Sequence, residues 1–412
     1  MSVSAAALDC RGMPLAEAGR AIIKQYNALC PGARFEVSVD AYAAGLKVWL
    51  LEAGVRHSAE CLDDGAWHLT FARGLTPAQG SIPGVHHVVS DGESVWTCER
   101  AQRVARIDAR TRRVVASRRV ARAASHLALD AAARRLFIAD SLADEVIAVR
   151  AADLEIEQRW PAPGGPQLPL VSAGGIVCVS GPVTGTLTIA RPEHNGYDVQ
   201  TVVVGASPHD ALLSADGEAV FVPCAGESVI VKVTLADGSI AGRYEAGDGP
   251  SHLALHPDGT RIYAANSWDG TVACMSADGT SIADARSGRW AHAIEVTPDG
   301  RWVYVANFFD DTLAVFDAAT LARVALLATD AYPHGLDISP DGRYVVATGF
   351  ASEWVRIFDA GTQRELARIE VGQGSSHTVF SADDAYVGCS VSDHVACIDL
   401  AALMLKDRIR IH

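Results

Sequence analysis

The feature that most constrains the fold is a repeat that occupies most of the chain. Seven histidines and one glutamine each open an apolar strand, at successive steps of 40, 41, 42, 43, 40, 42 and 43 residues. The surrounding phrases are alike, as in SHLALHPDG, AHAIEVTPDG and PHGLDISPDG. A fixed period of this length indicates stacked structural units. The repeat markers are His86, His126, Gln167, His209, His252, His292, His334 and His377.

Each period contains several short strands. After most markers a second apolar strand follows, as in VYVAN (303–307), then a third, TLAVFDA (312–318), and a fourth, RVALLAT (323–329). Four strands per period of about 40 residues are typical of a β-propeller blade. Eight periods predict an eight-bladed propeller over residues 85–412, closed by LKDRIRI near the C-terminus. A seven-bladed ring with an irregular third period is the alternative.

The first 74 residues follow a different pattern and predict a separate small domain. Helical spacing over 14–28, a strand over 35–39 and a second helix over 40–54 lead to a hairpin at 57–62 and 67–71. This order predicts a two-layer α/β sandwich, βαβαββ. Residues 75–84, rich in Gly and Pro, predict a linker between the two domains.

The histidines at one register of the repeat are the candidate functional residues. The innermost strand of a blade lines the central channel, so its first residues form a ring around one mouth. Neutral imidazole is a common ligand of copper, zinc, iron and nickel. The pattern therefore predicts a metal site, with anion or cofactor binding and a purely structural role as alternatives. The candidate ligands are His86, His87, His126, His209, His252, His292, His334 and His377.

Other side chains are expected near the same mouth, because the second strand of each blade ends there. We expect these residues to support the ligands, together with the odd marker of the third blade: Gln167, Cys98, Asp140, Cys224, Asn266, Asn307 and Ser390. Aromatic residues in loops of this face are expected to wall a substrate pocket or to pack between blades: Trp290, Phe308, Phe309, Tyr332, Phe350 and Trp354.

Two family resemblances accompany this domain division. VYVAN and PHGLDISPDG resemble the YVTN-type β-propeller repeats over residues 85–412, which implies the fold. In the head, Leu8-Asp9-x-Arg11-Gly12 resembles the TusA/SirA-like sulfur carriers. The Cys-Pro-x-Pro motif of that family, whose cysteine carries a persulfide, is replaced by Leu15-Ala16-Glu17-Ala18. We therefore expect a docking or substrate-presenting head, with Cys10 as a small buried thiol.

A further resemblance concerns the histidines. The His86-His87 pair, Pro208-His209-Asp210, Pro333-His334-Gly335 and His377-Thr378-Val379-Phe380 resemble the copper-binding propeller of nitrous-oxide reductases. This resemblance implies that the hub histidines bind one or several copper ions. The chain lacks the Cys-x-x-x-Cys cupredoxin domain of that family. The eight-bladed haem d1 domain of nitrite reductases is a competing resemblance and implies a tetrapyrrole ligand.

Composition excludes several function classes. The formal net charge of −14 disfavours nucleic acids and anionic membranes as partners. No apolar run has the length of a spanning helix, and the N-terminus has no secretory pattern, so we expect a cytoplasmic protein. The nine scattered cysteines predict thiols rather than a disulfide framework.

These observations favour a metal-dependent enzyme, most simply a copper oxidoreductase. Its substrate would be a small molecule, sulfur-containing or carrier-linked, and the head could bind a protein partner. Iron, zinc or a tetrapyrrole are the alternative cofactors. A non-catalytic interaction scaffold is the alternative function.

Overall fold

A computed structural model describes residues 6–13, 18, 21–22, 25, 34–39, 57–61, 66–72, 84–99, 102–381 and 383–411. In this part of the chain, no helix reaches the length and apolarity that crossing a bilayer requires.

The head contains one mixed sheet of four strands in the order β1-β2-β4-β3. The first two strands are parallel and the other pairs are antiparallel. Four described residues before β2 are helical: Ala18, Ala21, Ile22 and Gln25. The predicted second helix lies outside the described residues, so the two-layer sandwich stays a prediction. The strands are β1 (Ala6–Asp9), β2 (Arg34–Val39), β3 (His57–Cys61) and β4 (Trp67–Ala72).

The head has its own apolar core. Phe35 and Phe71 stack at 4.7 Å between ring centroids, and Ile22 and Leu69 are fully buried beside them. Cys10 belongs to the same cluster, and burial raises the pKa of its thiol to about 11. The expectation of a buried thiol is confirmed. With a raised pKa, the thiol stays protonated and unreactive at neutral pH.

Eight four-stranded antiparallel sheets follow the head, each made of four consecutive strands. The first four blades contain β5 (Val85–Ser90), β6 (Ser94–Glu99), β7 (Arg103–Asp108), β8 (Arg113–Arg119); β9 (Ala124–Asp130), β10 (Arg135–Asp140), β11 (Glu145–Arg150), β12 (Ile156–Pro161); β13 (Gln167–Val171), β14 (Val177–Gly181), β15 (Thr186–Glu193), β16 (Gly196–Val203); β17 (Leu212–Leu213), β18 (Ala219–Cys224), the 3-10 turn Ala225–Glu227, β19 (Val229–Thr234), β20 (Ile240–Glu245).

The last four blades repeat this arrangement. They contain β21 (Pro250–Leu255), β22 (Arg261–Asn266), β23 (Thr271–Ser276), β24 (Ser281–Arg286); β25 (Ala291–Val296), β26 (Trp302–Asn307), β27 (Thr312–Asp317), β28 (Arg323–Ala328); β29 (Pro333–Ile338), β30 (Tyr344–Gly349), β31 (Trp354–Asp359), β32 (Glu365–Glu370); β33 (Ser375–Ser381), β34 (Asp384–Cys389), β35 (His394–Asp399), β36 (Met404–Ile409).

Burial follows the position of a strand in its blade. Second strands such as β18 and β30 are buried along their whole length, since neighbouring blades cover both faces. Fourth strands such as β24 and β28 alternate between exposed and half-buried residues, because they form the outer rim. First strands contact one another from blade to blade and surround the channel. The sequence period thus places its markers at the hub.

The ring closes between blade 8 and blade 1 through contacts that resemble those at other seams. The Tyr386 hydroxyl donates to the carbonyl of Ala109 in blade 1 at 2.9 Å. The equivalent tyrosine of blade 6, Tyr304, donates to Ala360 of blade 7 at 2.8 Å. Each blade is built from one period, so closure depends on these contacts and on apolar packing between blades. The eight sheets agree with the eight periods, and the seven-bladed alternative is wrong.

Candidate metal centre

The histidine markers lie where the first strands begin, and local irregularities turn them toward the channel. The pairing of β5 with β6 shifts register between Val85 and His87, which is the behaviour of a β-bulge. Similar shifts occur near the markers of β13, β21, β25, β29 and β33. A bulge breaks the alternation of strand side chains, so the neighbours His86 and His87 both reach the ring of histidines.

The structure brings all eight predicted histidines together in one ring. Four of them, on blades 8, 1 and 2, form what we call the compact arc: His86, His87, His126 and His377. The His86 ring lies 5.0 Å from that of His126 and 5.3 Å from that of His377, between centroids. One ring nitrogen from each of these three residues lies within 4.8 Å of the other two. Donor atoms this close can converge on one ion.

The ring continues through blades 4 to 7 as a row of neighbours. The centroid distances are 4.9 Å for His209–His252, 4.3 Å for His252–His292 and 5.2 Å for His292–His334. His334 lies 5.2 Å from His377, where the row joins the compact arc. We call blades 4 to 7 the acidic arc, because carboxyl groups line the channel beside these four histidines.

Two imidazoles of the ring, those of His87 and His252, have a lowered pKa. Burial lowers the pKa of His87 to about 4. The pKa of His252 lies well below its ordinary value, first through burial and then through the neighbouring His292 and His209. A neutral imidazole retains the lone pair that a metal ion requires, so the ring is chemically suited to ligation at neutral pH.

One histidine of the acidic arc has a polar neighbour at each ring nitrogen. The Nε2 atom of His252 lies 3.6 Å from Asp210 Oδ2, and its Nδ1 atom lies 3.2 Å from the Ser251 hydroxyl. Such contacts fix the orientation of an imidazole. The Nδ1 atom is thereby engaged, whereas the separation from Asp210 is longer than a hydrogen bond.

The ring encloses a cavity of about 130 Å³ that extends along the channel. Besides histidines and apolar groups, its wall contains three carboxyl side chains and one amide: Asp210, Glu295, Asp337 and Gln167. The carboxyl groups were missed by the sequence analysis. The signal was present, because each follows a histidine marker by one or three residues where other blades carry apolar or small side chains.

The predicted supporting residues divide into two groups. Gln167 lines the cavity, as expected for a marker position. The other five residues of the main prediction, with Ser390, do not belong to the described cavity wall. Asp140 accepts hydrogen bonds from backbone N–H groups of its own turn, and Asn266 donates to Thr271 across a loop. Their role is to fix blade loops. The residues concerned are Cys98, Asp140, Cys224, Asn266, Asn307 and Ser390.

A cluster of aromatic side chains contacts two histidines of the acidic arc. Trp290, Phe308 and Phe350 form a buried cluster against which Trp268, Phe309 and Tyr332 pack. The Phe308 ring lies 6.0 Å from His292, and the Phe350 ring lies 5.5 Å from His334. Five of the six predicted aromatic residues therefore pack in this cluster, and none of the five belongs to the described wall of the cavity. Trp354 instead lies under the Arg368 guanidinium, 4.4 Å from its ring centroid.

The head packs on the same face of the propeller. Val183, in the loop after β14, and Trp268, in the loop after β22, contact the apolar core of the head. Trp268 also packs on the aromatic cluster. The head, the aromatic cluster and the histidine ring are therefore consecutive layers on one side of the hub.

Comparison with known proteins supports the propeller fold, although the matching family is described with one blade fewer. The profile of the lactonase family, described as a seven-bladed β-propeller, matches residues 186–379, which lie in blades 3 to 8. No curated protein matches. One similar structure is Kuenenia stuttgartiensis hydrazine synthase, with a TM-score of 0.56 at 18% identity, covering 67% of this chain and 95% of that one.

Two further structures extend the comparison. A candidate 6-phosphogluconolactonase from Bacteroides fragilis has a TM-score of 0.57 at 17% identity, covering 73% of this chain and 99% of that one. The dihydro-heme d1 dehydrogenase NirN, in complex with DHE, has a TM-score of 0.58 at 17% identity, covering 73% of this chain and 67% of that one. At these identities the similarity concerns the fold, and the comparisons support a β-propeller.

Proposed function

We propose that the histidine ring binds a transition-metal ion through His86, His126 and His377. The observation that carries this proposal is the convergence of one ring nitrogen from each residue within 4.8 Å. Three imidazoles, two of them buried and the third half-buried, match the ligand preferences of copper, zinc and iron. Such an ion would supply Lewis-acid or redox chemistry at the channel mouth. A copper-dependent oxidoreductase is the specific form that the sequence resemblance favours.

A tetrapyrrole is the rival ligand, supported by the likeness to NirN and by the sequence resemblance. The cavity of about 130 Å³ argues against it, since sites for ligands of even drug size occupy about 300 Å³ or more. A lactonase is the rival activity, supported by the family profile. A phosphorylated sugar lactone fits poorly, because the cavity wall has carboxyl groups and neutral imidazoles but no lysine or arginine among the described residues.

The test is metal binding by untagged full-length protein. Metal-depleted protein would be titrated with Cu(I), Zn(II) and Fe(II) against competing chelators, and its visible spectrum recorded after purification. We expect stoichiometric binding and no tetrapyrrole absorption band. Replacing His86, His126 and His377 together by alanine should weaken binding by more than about 100-fold, since losing a supporting partner alone costs about 10- to 100-fold.

The matched control is the alanine triple of the opposite arc, His209, His252 and His292. It removes the same number of buried imidazoles, and we expect a loss of less than about tenfold. Circular dichroism and thermal unfolding would verify that both variants fold. Equal losses in the two triples, or wild-type protein that binds none of the three metals, would contradict the proposal. A tetrapyrrole band would replace it with the rival ligand.

A further inference from the structure

Gln167 is an unusual member of the hub. It occupies the marker position of blade 3, where the other seven blades place a histidine. Its side chain lines the cavity and the residue is only 6% exposed. Its amide makes no hydrogen bond with any described residue. An amide that faces a cavity without a protein partner can exchange hydrogen bonds with a ligand there.

The local backbone is committed to this placement. The register between β13 and β14 shifts between Gln167 and Leu170, and Leu168 has a φ of 46°. A leucine in the left-handed region is strained and persists only where the surrounding structure requires it. This strained turn directly follows Gln167 at the channel wall.

Carboxyl groups line the other side of the same cavity. Glu295 of blade 6 and Asp337 of blade 7 belong to its wall, and blade 7 stands opposite blade 3 in a ring of eight. Glu295 makes no hydrogen bond with any described residue. Asp337 accepts one, from the Thr378 N–H at 3.1 Å. Both acids are therefore half-buried and have almost no hydrogen-bonded compensation.

The electrostatics of the two acids agree with this geometry. Burial, followed by repulsion from Asp337 and Asp210, raises the pKa of Glu295 to about 8. Burial raises the pKa of Asp337 to about 7. The wall has no lysine or arginine among the described residues, so a positive ligand would relieve the repulsion, whereas an anion would increase it.

The spacing of the donors restricts the kind of cation. Among the described residues, the only three metal-ligating side chains whose donor atoms lie within 4.8 Å of one another are histidines of the compact arc. The carboxyl groups are not gathered in this way around a single ion. The volume of about 130 Å³ holds several water-sized positions, each needing about 10–15 Å³. A polyatomic cation of few heavy atoms fits these limits.

We propose that the cavity at the hub binds a small protonated amine, whose N–H groups donate to Glu295, Asp337 and the Oε1 atom of Gln167. The amine would lie beside the histidine ring, which makes it a candidate substrate class for the proposed metal centre. In that respect the inference rests on the proposed function, whereas the binding site itself is formed by other residues and can be tested without metal.

The test is calorimetric titration of metal-depleted full-length protein with methylammonium chloride above pH 8, where Glu295 and Asp337 are both ionised, with methanol as the neutral probe of similar size. We expect methylammonium to bind and methanol not to bind. Converting Glu295→Gln and Asp337→Asn together keeps size and removes charge, and should weaken methylammonium binding by at least about tenfold. Gln167→Leu should weaken it by about three- to tenfold. The control Glu245→Gln, at an exposed carboxylate, should leave it unchanged.

Several outcomes would overturn this inference. They are the absence of methylammonium binding to wild-type protein, equal binding by the double variant, and equal affinity for methanol. Metal titration of the same variants keeps the two proposals apart. A double variant that binds metal but not methylammonium supports the inference. Wild-type protein that binds metal but no methylammonium refutes only the inference. Wild-type protein that binds methylammonium but no metal refutes only the proposed function.

Discussion

The two arcs of the hub use the same residue type in different surroundings. In the compact arc the histidines contact one another, and three of them converge on one point. In the acidic arc the histidines form a row, one is held between Asp210 and Ser251, and carboxyl groups lie beside them. The position in the repeat therefore fixes where an imidazole lies, and the neighbouring residues determine what it can bind.

The largest expected effect concerns single histidines. His86 lies at the centre of the compact arc, within 6.1 Å of His334 as well as near His126 and His377. Replacing it by alanine should reduce metal affinity by about 100-fold, whereas His209→Ala should change it by less than about threefold. Chelator competition on both variants measures this ratio. Equal losses of metal affinity in the two variants would show that the two arcs do not differ in metal binding.

The next effect concerns the pH dependence of stability without metal. Between the ordinary pKa of 4.5 and about 8, folded Glu295 holds a proton that the unfolded chain has lost. Stability therefore falls as pH rises through this window and levels off above pH 8. His87 acts in the opposite direction, because its pKa of about 4 makes stability rise with pH up to about 6.5. Of these two groups, Glu295 alone contributes between pH 6.5 and 8.

Glu295→Gln isolates this contribution, since glutamine imitates the protonated acid. Urea unfolding of wild-type protein should show stability falling by up to about 1.4 kcal/mol per pH unit between pH 6.5 and 8, the value for one proton. The variant should lose most of this slope, and Glu245→Gln should retain it. An unchanged slope in Glu295→Gln would show that this carboxyl group is ionised in the folded protein.

The smallest effect concerns the seams between blades. Tyr386→Phe removes a hydrogen bond at the closure of the ring beside the compact arc, and Tyr304→Phe removes the equivalent bond on the acidic arc. Each should cost about 1 kcal/mol of unfolding free energy. Equal losses would show that the closing seam is as firm as the internal ones. A much larger loss for Tyr386→Phe would identify closure as the weakest link.

The sequence predicted the fold and the position of the histidines because both depend on the repeat. Four strands per period gave the blade, and the marker spacing placed the imidazoles at one mouth. The convergence of His86, His126 and His377 could not be predicted, since strand bulges redirect side chains against simple alternation. The same irregularity allows His86 and its neighbour His87 to share one ring.

Other residues were misjudged for a different reason. Asp140, Asn266 and Asn307 were expected near the metal because their strands end on the right face, but their polar atoms bind blade loops instead. Glu295 and Asp337 were overlooked because, in the sequence, a single carboxyl group on an inner strand looks like a residue that faces solvent. Only the closed ring shows that they face a shared cavity.

Anomalous diffraction from crystals of the metal-loaded protein would show whether the ion lies between His86, His126 and His377. Data collected at the absorption edge of the bound metal would locate the ion without assumptions about its ligands. We expect one dominant peak within coordination distance of His86, His126 and His377, about 2.0–2.1 Å from their nitrogens if the ion is zinc. A dominant peak between His209, His252 and His292, or no peak at the hub, would contradict it.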